Sequence, residues 1–432
     1  MASGSRGFSS AVAALAVGPL LVIAASVNQP VAGAAPRLSA LPVIAPAPRD
    51  NPTTPERVAL GRLLFWDPIL SGQKDVACAT CHHPDFGYSD GLDVSIGANG
   101  RGLGASRTFA AGHPSRFVKR NSQTVLNVAF NGLTADDTAS PQTAPMFWDL
   151  RVQSLEAQAL EPIKAVEEMR GDVSIAERAV PDAVARLNGI PEYRRLFAAA
   201  FGGEMPVSEG NLAKALAAFE RTLVTTDAPF DRYMRGETDA MSPEQVRGME
   251  QFQSIGCINC HNGPMFSDYK PHVLGVPDNR KLLESDTGVN QTYAFRTASL
   301  RNLTETPPYM HSGVFQTLPQ VLNFYQRISG GRGGPGGGGR GGRAGNGGPP
   351  PPPQGGRGGG GGRGGSGFRG GPPFNPQVTR AQIDPLARQL NMRGGRGQRD
   401  VIAFLRALTD PHFDRTIPDR VPSGLPVGGR LR

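Results

Sequence analysis

A chain of 432 residues with 38% hydrophobic residues is long enough for two or three domain cores, which excludes a wholly disordered or fibrous protein. The 57 glycines and 39 prolines exceed ordinary usage and must be concentrated locally. Much of the formal charge of +8 is local as well: residues 331–371 hold six arginines and no acid, so without them it falls to +2, and the charge argument for a nucleic-acid partner falls with it.

In chain order, Arg6, the apolar run AVAALAVGPLLVIAA and the small residues VAGAA give residues 1–35 the pattern of a secretory signal. An uncleaved membrane anchor is the alternative, because the run approaches the roughly 20 residues of a spanning helix. Either way the rest of the chain is exported, and no later segment is apolar enough to span a bilayer. Next comes DVACATCHHPDFGYSD, residues 75–90, with Cys78, Cys81, His82 and His83.

Helical patterns then dominate. Ser208 caps a run that places Leu212, Leu216, Phe219 and Leu223 at helical spacing. Ser242, Pro243 and Gln245 form a capping-box start, followed by Val246, Met249 and Phe252 on one face. This helix leads into SIGCINCHNGP, with Cys257, Cys260 and His261, and the two Cys pairs use every cysteine of the chain. The Gly/Arg/Pro tract within residues 329–378 cannot bury enough apolar surface to offset its ordering entropy and is expected to be a disordered insert. QRDVIAFLRALTD, with Val401, Leu405 and Leu408, gives the closing helix. The fold class is mainly α with long ordered loops, in two halves with a boundary expected near 206–226.

Covalent haem attachment needs two thiols spaced to meet the two vinyl groups on one edge of the macrocycle, and an imidazole that reaches the iron. Cys-x-x-Cys-His supplies all three in one turn. Cys78/Cys81 and Cys257/Cys260 are therefore read as thioethers of two haem c groups, with His82 and His261 as iron ligands. A zinc ribbon needs its Cys pairs much closer together, a redox Cys-x-x-Cys expects a βαβ context, and disulfides rarely link cysteines three apart. Export fits, because c-type haem is attached outside the cytoplasm. His83 cannot bind the same iron from beside His82 and is read as a supporting or surface residue. Spacing alone leaves open whether two haems serve an electron carrier or an enzyme.

The segments VALGRLLFWDPILSGQKDVACATCHHPDFGYSDG, RNSQTVLNVAFN, MFWDLRVQSLEAQALEPI, QVRGMEQFQSIGCINCHNGPMFSD, TASLRNLTETPPYMHSGVFQTLPQVLNFY and DVIAFLRALTD run in order over most of residues 57–410. In them the chain resembles the bacterial di-haem cytochrome c peroxidases and their MauG-type relatives. The resemblance implies two cytochrome c-like domains, 40–206 with the peroxide-reactive haem and 207–410 with the electron-transfer haem, and a tail over 411–432. It implies that Glu156 lies over the first haem as the acid-base group. Met146 replaces the Gln found before FWDGR in many relatives, and Leu150 replaces the Gly of that segment. Ala98, in SIGA, stands where activation-dependent peroxidases carry an iron-blocking His, which leaves the first iron open unless His113 substitutes.

For the second haem the resemblance implies Tyr325 as sixth ligand, where peroxidases place a Met, with Met310 and His311 as nearby rivals. It also implies a calcium ion held by Asn121, Thr306 and Pro308. The activity implied is periplasmic reduction of hydrogen peroxide to water, with electrons from a small c-type cytochrome or cupredoxin passing from the second haem to the first. Homodimers are common among such proteins. The alternatives are MauG-like oxidation of a protein or organic substrate through a high-valent iron state, and a non-enzymatic di-haem carrier.

Overall fold

The computed structural model describes residues 1, 36–112, 116–134, 136, 140–330, 374–392 and 398–432. The expected signal beyond Met1, His113 and the Gly/Arg/Pro tract over 331–373 lie outside the described residues.

Helix α1 (Pro55–Trp66) starts where Thr54 accepts a bond from the Arg57 amide at 3.4 Å and Pro55 supplies a preset φ. It is followed by the single turn α2 (Cys78–Cys81), then α3 (Leu155–Lys164), α4 (Ala176–Asn188), α5 (Pro191–Phe201) and α6 (Glu209–Glu220). After these come α7 (Pro229–Met234), α8 (Pro243–Ile255), α9 (Leu318–Ile328), α10 (Pro385–Arg388) and α11 (Gln398–Arg406). Strands are confined to three short antiparallel ribbons among the described residues: β1 (Gly100–Arg101) with β2 (Thr108–Phe109), β3 (Pro145–Met146) with β4 (Val152–Gln153), and β5 (Pro271–Val273) with β6 (Ala294–Arg296). The expectation of a mainly helical chain with long loops holds. Ser208 and Ser242 cap α6 and α8 as expected, and Gln245 closes the capping box on the Ser242 amide at 2.8 Å.

Two main cores form, one beside each Cys-x-x-Cys-His. The first joins Leu60, Leu64, Phe65 and Trp66 of α1 to Leu212, Leu216 and Phe219 of α6, with Tyr193 and Phe197 of α5. The second joins Phe252 of α8 to Val401, Phe404 and Leu405 of α11, around the fully buried Phe230 and Phe266. In each, a glycine lets two helices cross closely. A Cβ on Gly61 would come within 2.0 Å of the Ala215 carbonyl oxygen, and one on Gly248 within 1.9 Å of that of Asp400. The two halves therefore repeat one packing device.

The packing redraws two expected boundaries. Helix α6 belongs to the first core, so the changeover falls between Leu223 and Phe230 and not at 207. Phe374 and Val378 pack with Phe324 and Ile328, which removes 374–378 from the insert. The segment 411–432 is no loose tail. Val421 is buried in the first core, with Phe413, Leu425 and Leu431 against it. Its backbone meets the first Cys motif: the Gly428 amide donates to Trp66 O at 2.7 Å, the Arg430 amide to Asp75 O at 3.0 Å, and the Thr80 hydroxyl to Gly428 O at 2.8 Å. Tyr88 adds a bond to Asp414 O at 2.7 Å.

Candidate functional site

Both Cys-x-x-Cys-His turns open onto one cavity of about 690 Å³. All four cysteines are free thiols that line it, as do His82 and His261. Burial pushes three of the thiols up, Cys78, Cys81 and Cys257, the last two to about 12, so these three are held neutral. His82 Nδ1 lies 3.2 Å from Tyr88 O, and His261 Nδ1 lies 2.9 Å from Phe266 O. A ring held this way donates from Nδ1 and keeps its lone pair on Nε2, while burial pulls both imidazoles below the usual range. Free thiols in pairs, imidazoles fixed in one tautomer and a shared cavity are what two attached haems require, and the residues present fit that group.

Glu156 does not line the cavity: its Oε1 accepts from Asn51 Nδ2 at 2.7 Å and from Arg221 at 2.7 Å, beside a guanidinium only 2% exposed. On α3 the residues that reach the cavity are Gln158, Ala159 and Pro162. Arg221, directly after α6, and Asn51 hold the Glu156 carboxylate away from the cavity lining.

Five carboxylates do face the cavity: Asp149 and Asp384, which pair with basic side chains, and Glu167, Glu168 and Glu220. Glu168 sits on the five-residue turn Val166–Arg170 that follows α3 and acts electrostatically on both Cys78 and Cys81. Burial, then the neighbouring Glu167, raise it to about 7. Burial raises Glu220, at the end of α6, to about 8, against the lowering effect of Arg221, and its Oε2 has no hydrogen-bond partner.

Met146 is buried in the cavity wall, 3.5 Å from Asn131 Nδ2. Gln158 brings a side-chain amide to the same cavity. Leu150 has φ +59°, the left-handed region that a glycine adopts at no cost, so the departure from FWDGR leaves local strain of about 1 kcal/mol. Ala98 is buried and does not line the cavity. Its loop packs onto the turn bearing Glu168: a Cβ on Gly97 would come within 2.3 Å of the carbonyl oxygens of Glu167 and Glu168. Buried Arg107 pins this loop from the other side, donating to Gly97 O at 2.8 Å and Gly102 O at 2.9 Å. His83 is not a surface residue. It is 3% exposed, accepts from the Asp85 amide at 3.2 Å and meets the Trp66 ring edge-on at 5.5 Å.

Around the second motif, Tyr325 reaches the cavity from α9, close enough to Cys260 and Cys257 to feel both, and burial raises its phenol above the usual range. Met310 and His311 also line the cavity. His311 stacks on Phe295 at 3.5 Å, its Nε2 is unpartnered, and burial pushes it down to about 3. Asn121, Thr306 and Pro308 come to the same cavity. Asn121 is held by Trp148 Nε1 donating to its carbonyl at 3.0 Å and by its own Nδ2 donating to Leu92 O at 2.8 Å.

Helical cores in pairs, each presenting a Cys-x-x-Cys-His to a shared cavity with buried acids near one and a phenol near the other, define a two-haem protein of the redox class. Comparison with known proteins agrees. The family model described as di-haem cytochrome c peroxidase matches residues 55–239. Cytochrome-c peroxidase IdrP1 of Pseudomonas sp. (strain SCT) is 34% identical over 349 residues, covering 72% of this chain and 82% of that protein. Methylamine utilization protein MauG of Methylorubrum extorquens is 38% identical over 295 residues, covering 67% and 73%. Among solved structures, a MauG-like protein associated with microbial copper homeostasis shares the fold with a TM-score of 0.62 at 24% identity, over 86% of this chain and 95% of that one. The chain belongs to the di-haem cytochrome c peroxidase and MauG family, whose members are peroxidase-like oxidoreductases using haem iron. Among the described residues no helix is long and apolar enough to cross a membrane.

Proposed function

We propose that this chain is an exported, periplasmic di-haem peroxidase of two cytochrome c-like halves. In this reading it reduces hydrogen peroxide to water with two electrons from a small c-type cytochrome or cupredoxin, entering at the second site. The observation that carries it is Glu168: a half-buried carboxyl that lines the same cavity as His82, acts electrostatically on Cys78 and Cys81, is raised to about 7, and has no ion pair among the described residues. Cys78, Cys81 and His82 would hold a haem, which would supply redox-active iron for peroxide reduction.

The chain's own residues do the rest. Glu168 takes a proton from the incoming peroxide and returns it to the departing oxygen, a transfer that works best when the group titrates near the working pH. Gln158 offers an amide to orient peroxide. Met146, Phe147, Ala159 and Pro162 line the cavity with apolar surface and limit bulk water. The SIGA loop, pinned by Arg107, buttresses the turn bearing Glu168 and offers no side-chain ligand at Ala98, so the first site needs no prior rearrangement. Asn121, Thr306 and Pro308 are the oxygen donors for a calcium ion between the sites.

A second reading, MauG-like oxidation of a protein or organic substrate, is favoured by one observation: Tyr325, and not a methionine, approaches the second Cys pair from α9. A phenolate ligand lowers the potential of its haem and suits the second site to store oxidising equivalents. The purified protein separates these readings and tests both. Two covalent haems, a resting ferric spectrum with a high-spin component and rapid peroxide turnover with a small cytochrome support the peroxidase. Turnover only with an organic or protein reductant supports the second reading, and two wholly low-spin, peroxide-inert haems overturn both.

A further inference from the structure

The cavity wall carries five cationic side chains, Lys119, Arg120, Arg151, Arg296 and Arg301. Four have carboxylate partners. Arg120 meets Asp149 at 2.7 Å and Asp286 at 2.6 Å, Lys119 meets Asp286 at 3.6 Å, Arg151 meets Asp149 at 2.7 Å, and Arg301 meets Asp231 at 2.5 Å. Arg296, at the end of β6, has none among the described residues. Its Nε donates to Phe147 O at 2.9 Å and one terminal nitrogen to Gln123 Oε1 at 3.3 Å, both neutral acceptors. The residue is 6% exposed, and burial draws the guanidinium down to about 10 with only Tyr269 opposing.

A buried guanidinium without an anion is costly, and the expected compensation is an anion that the cavity receives. Its place in the fold identifies that anion. Gln123, to which it donates, has its own backbone beside the His82 ring, and two residues beyond Arg296 the Ala298 backbone flanks the His261 ring. Arg296 therefore stands between the two imidazoles. A haem brings two propionate carboxylates into such a cavity, and a guanidinium offers the planar fork that a carboxylate matches.

We infer that Arg296 receives a haem propionate at the junction of the two haem sites, holding one cofactor by its carboxylate edge while the thioethers hold it by the other. This rests on the haem reading given above. As a positioning residue with a fixed positive charge, Arg296 also raises the potential of the haem it serves, because a nearby cation disfavours the ferric form.

The test uses the holoprotein with R296Q and R296K, measuring haem content by pyridine haemochrome and both midpoint potentials by spectroelectrochemistry. R296Q is expected to keep two covalent haems, since the cysteines remain, and to show a downward shift in the midpoint potential of at least one haem. R296K keeps the charge without the fork, so its shift has the same sign and is smaller. If R296Q does not accumulate, the shift in R296K decides. Unchanged potentials at both haems in every variant that accumulates would overturn the inference, and wild-type protein lacking covalent haem would instead overturn the reading on which it stands.

Discussion

The two Cys-x-x-Cys-His turns are nearly the same in sequence and differ in everything around them. Each ends in a histidine whose Nδ1 is tied to a carbonyl five or six residues on, Tyr88 in one case and Phe266 in the other. Lining the cavity near the first are the half-buried Glu168 and the buried Glu220, and the cavity also receives the amide of Gln158. Near the second stand the phenol of Tyr325 and apolar side chains of α9, Val321 and Leu322. A shared attachment motif therefore says how a haem is held and nothing about what it does. The chemistry is assigned by whatever the rest of the fold brings to the other side.

The contrast can be broken from the acid side first. Glu168→Gln keeps the shape and removes the proton, and peroxide turnover is expected to fall by about 10²–10⁴-fold, the usual share of general acid-base catalysis. The second site should keep its spectrum. A variant with near-normal turnover would show that Glu168 is only a buried structural acid. Glu156→Gln is the counterpart. It leaves Arg221 buried without a carboxylate at 2.7 Å, so denaturant unfolding should show a loss of about 3 kcal/mol. Turnover per folded molecule should stay within about threefold of wild type, and a collapse to the level of Glu168→Gln would restore Glu156 to the site.

The phenol side comes next. Tyr325→Met should raise the midpoint potential of the second haem by on the order of 0.1 V and alter its spectrum while sparing the first. Indifference of both would remove Tyr325 as a ligand. The smallest effect concerns pH. The folded-state pKa of Glu220, about 8, lies above its unfolded value near ~4.3, so its contribution to stability is full below the unfolded value and is lost as pH rises toward 8. Glu220→Gln should flatten the fall in melting temperature over that window and gain about 1–3 kcal/mol above it. An unchanged pH profile would mean that Glu220 ionises as if exposed.

Much of this was legible in the residues alone. The attachment turns, the caps at Ser208 and Ser242 and the apolar faces of α6, α8 and α11 follow from short-range spacing, and short-range spacing is what a sequence displays. Glu168 was not legible by that route, because a five-residue turn after α3 redirects the chain and no helical period carries through it. Glu156 looked better placed in sequence, yet its partner Arg221 lies 65 positions away, and only tertiary packing reveals the ion pair. Of the two readings of His83, supporting or surface, the fold leaves the supporting one, and the sequence could not choose because its neighbour Trp66 comes from another element.

Residues 411–432 follow every other segment in the sequence, yet they close the turn that bears the first Cys pair through Gly428, Gly429 and Arg430. During biosynthesis both cysteines of that pair would thus leave the ribosome long before their permanent surroundings exist. The first thiols to emerge would be the later ones to acquire a finished cradle, because the downstream pair, enclosed by α8 and α11, needs the chain only as far as Arg406. A chain cut after residue 410 should still retain its downstream chromophore and lose order at the upstream one, a hierarchy that absorbance of the two ferric bands would reveal.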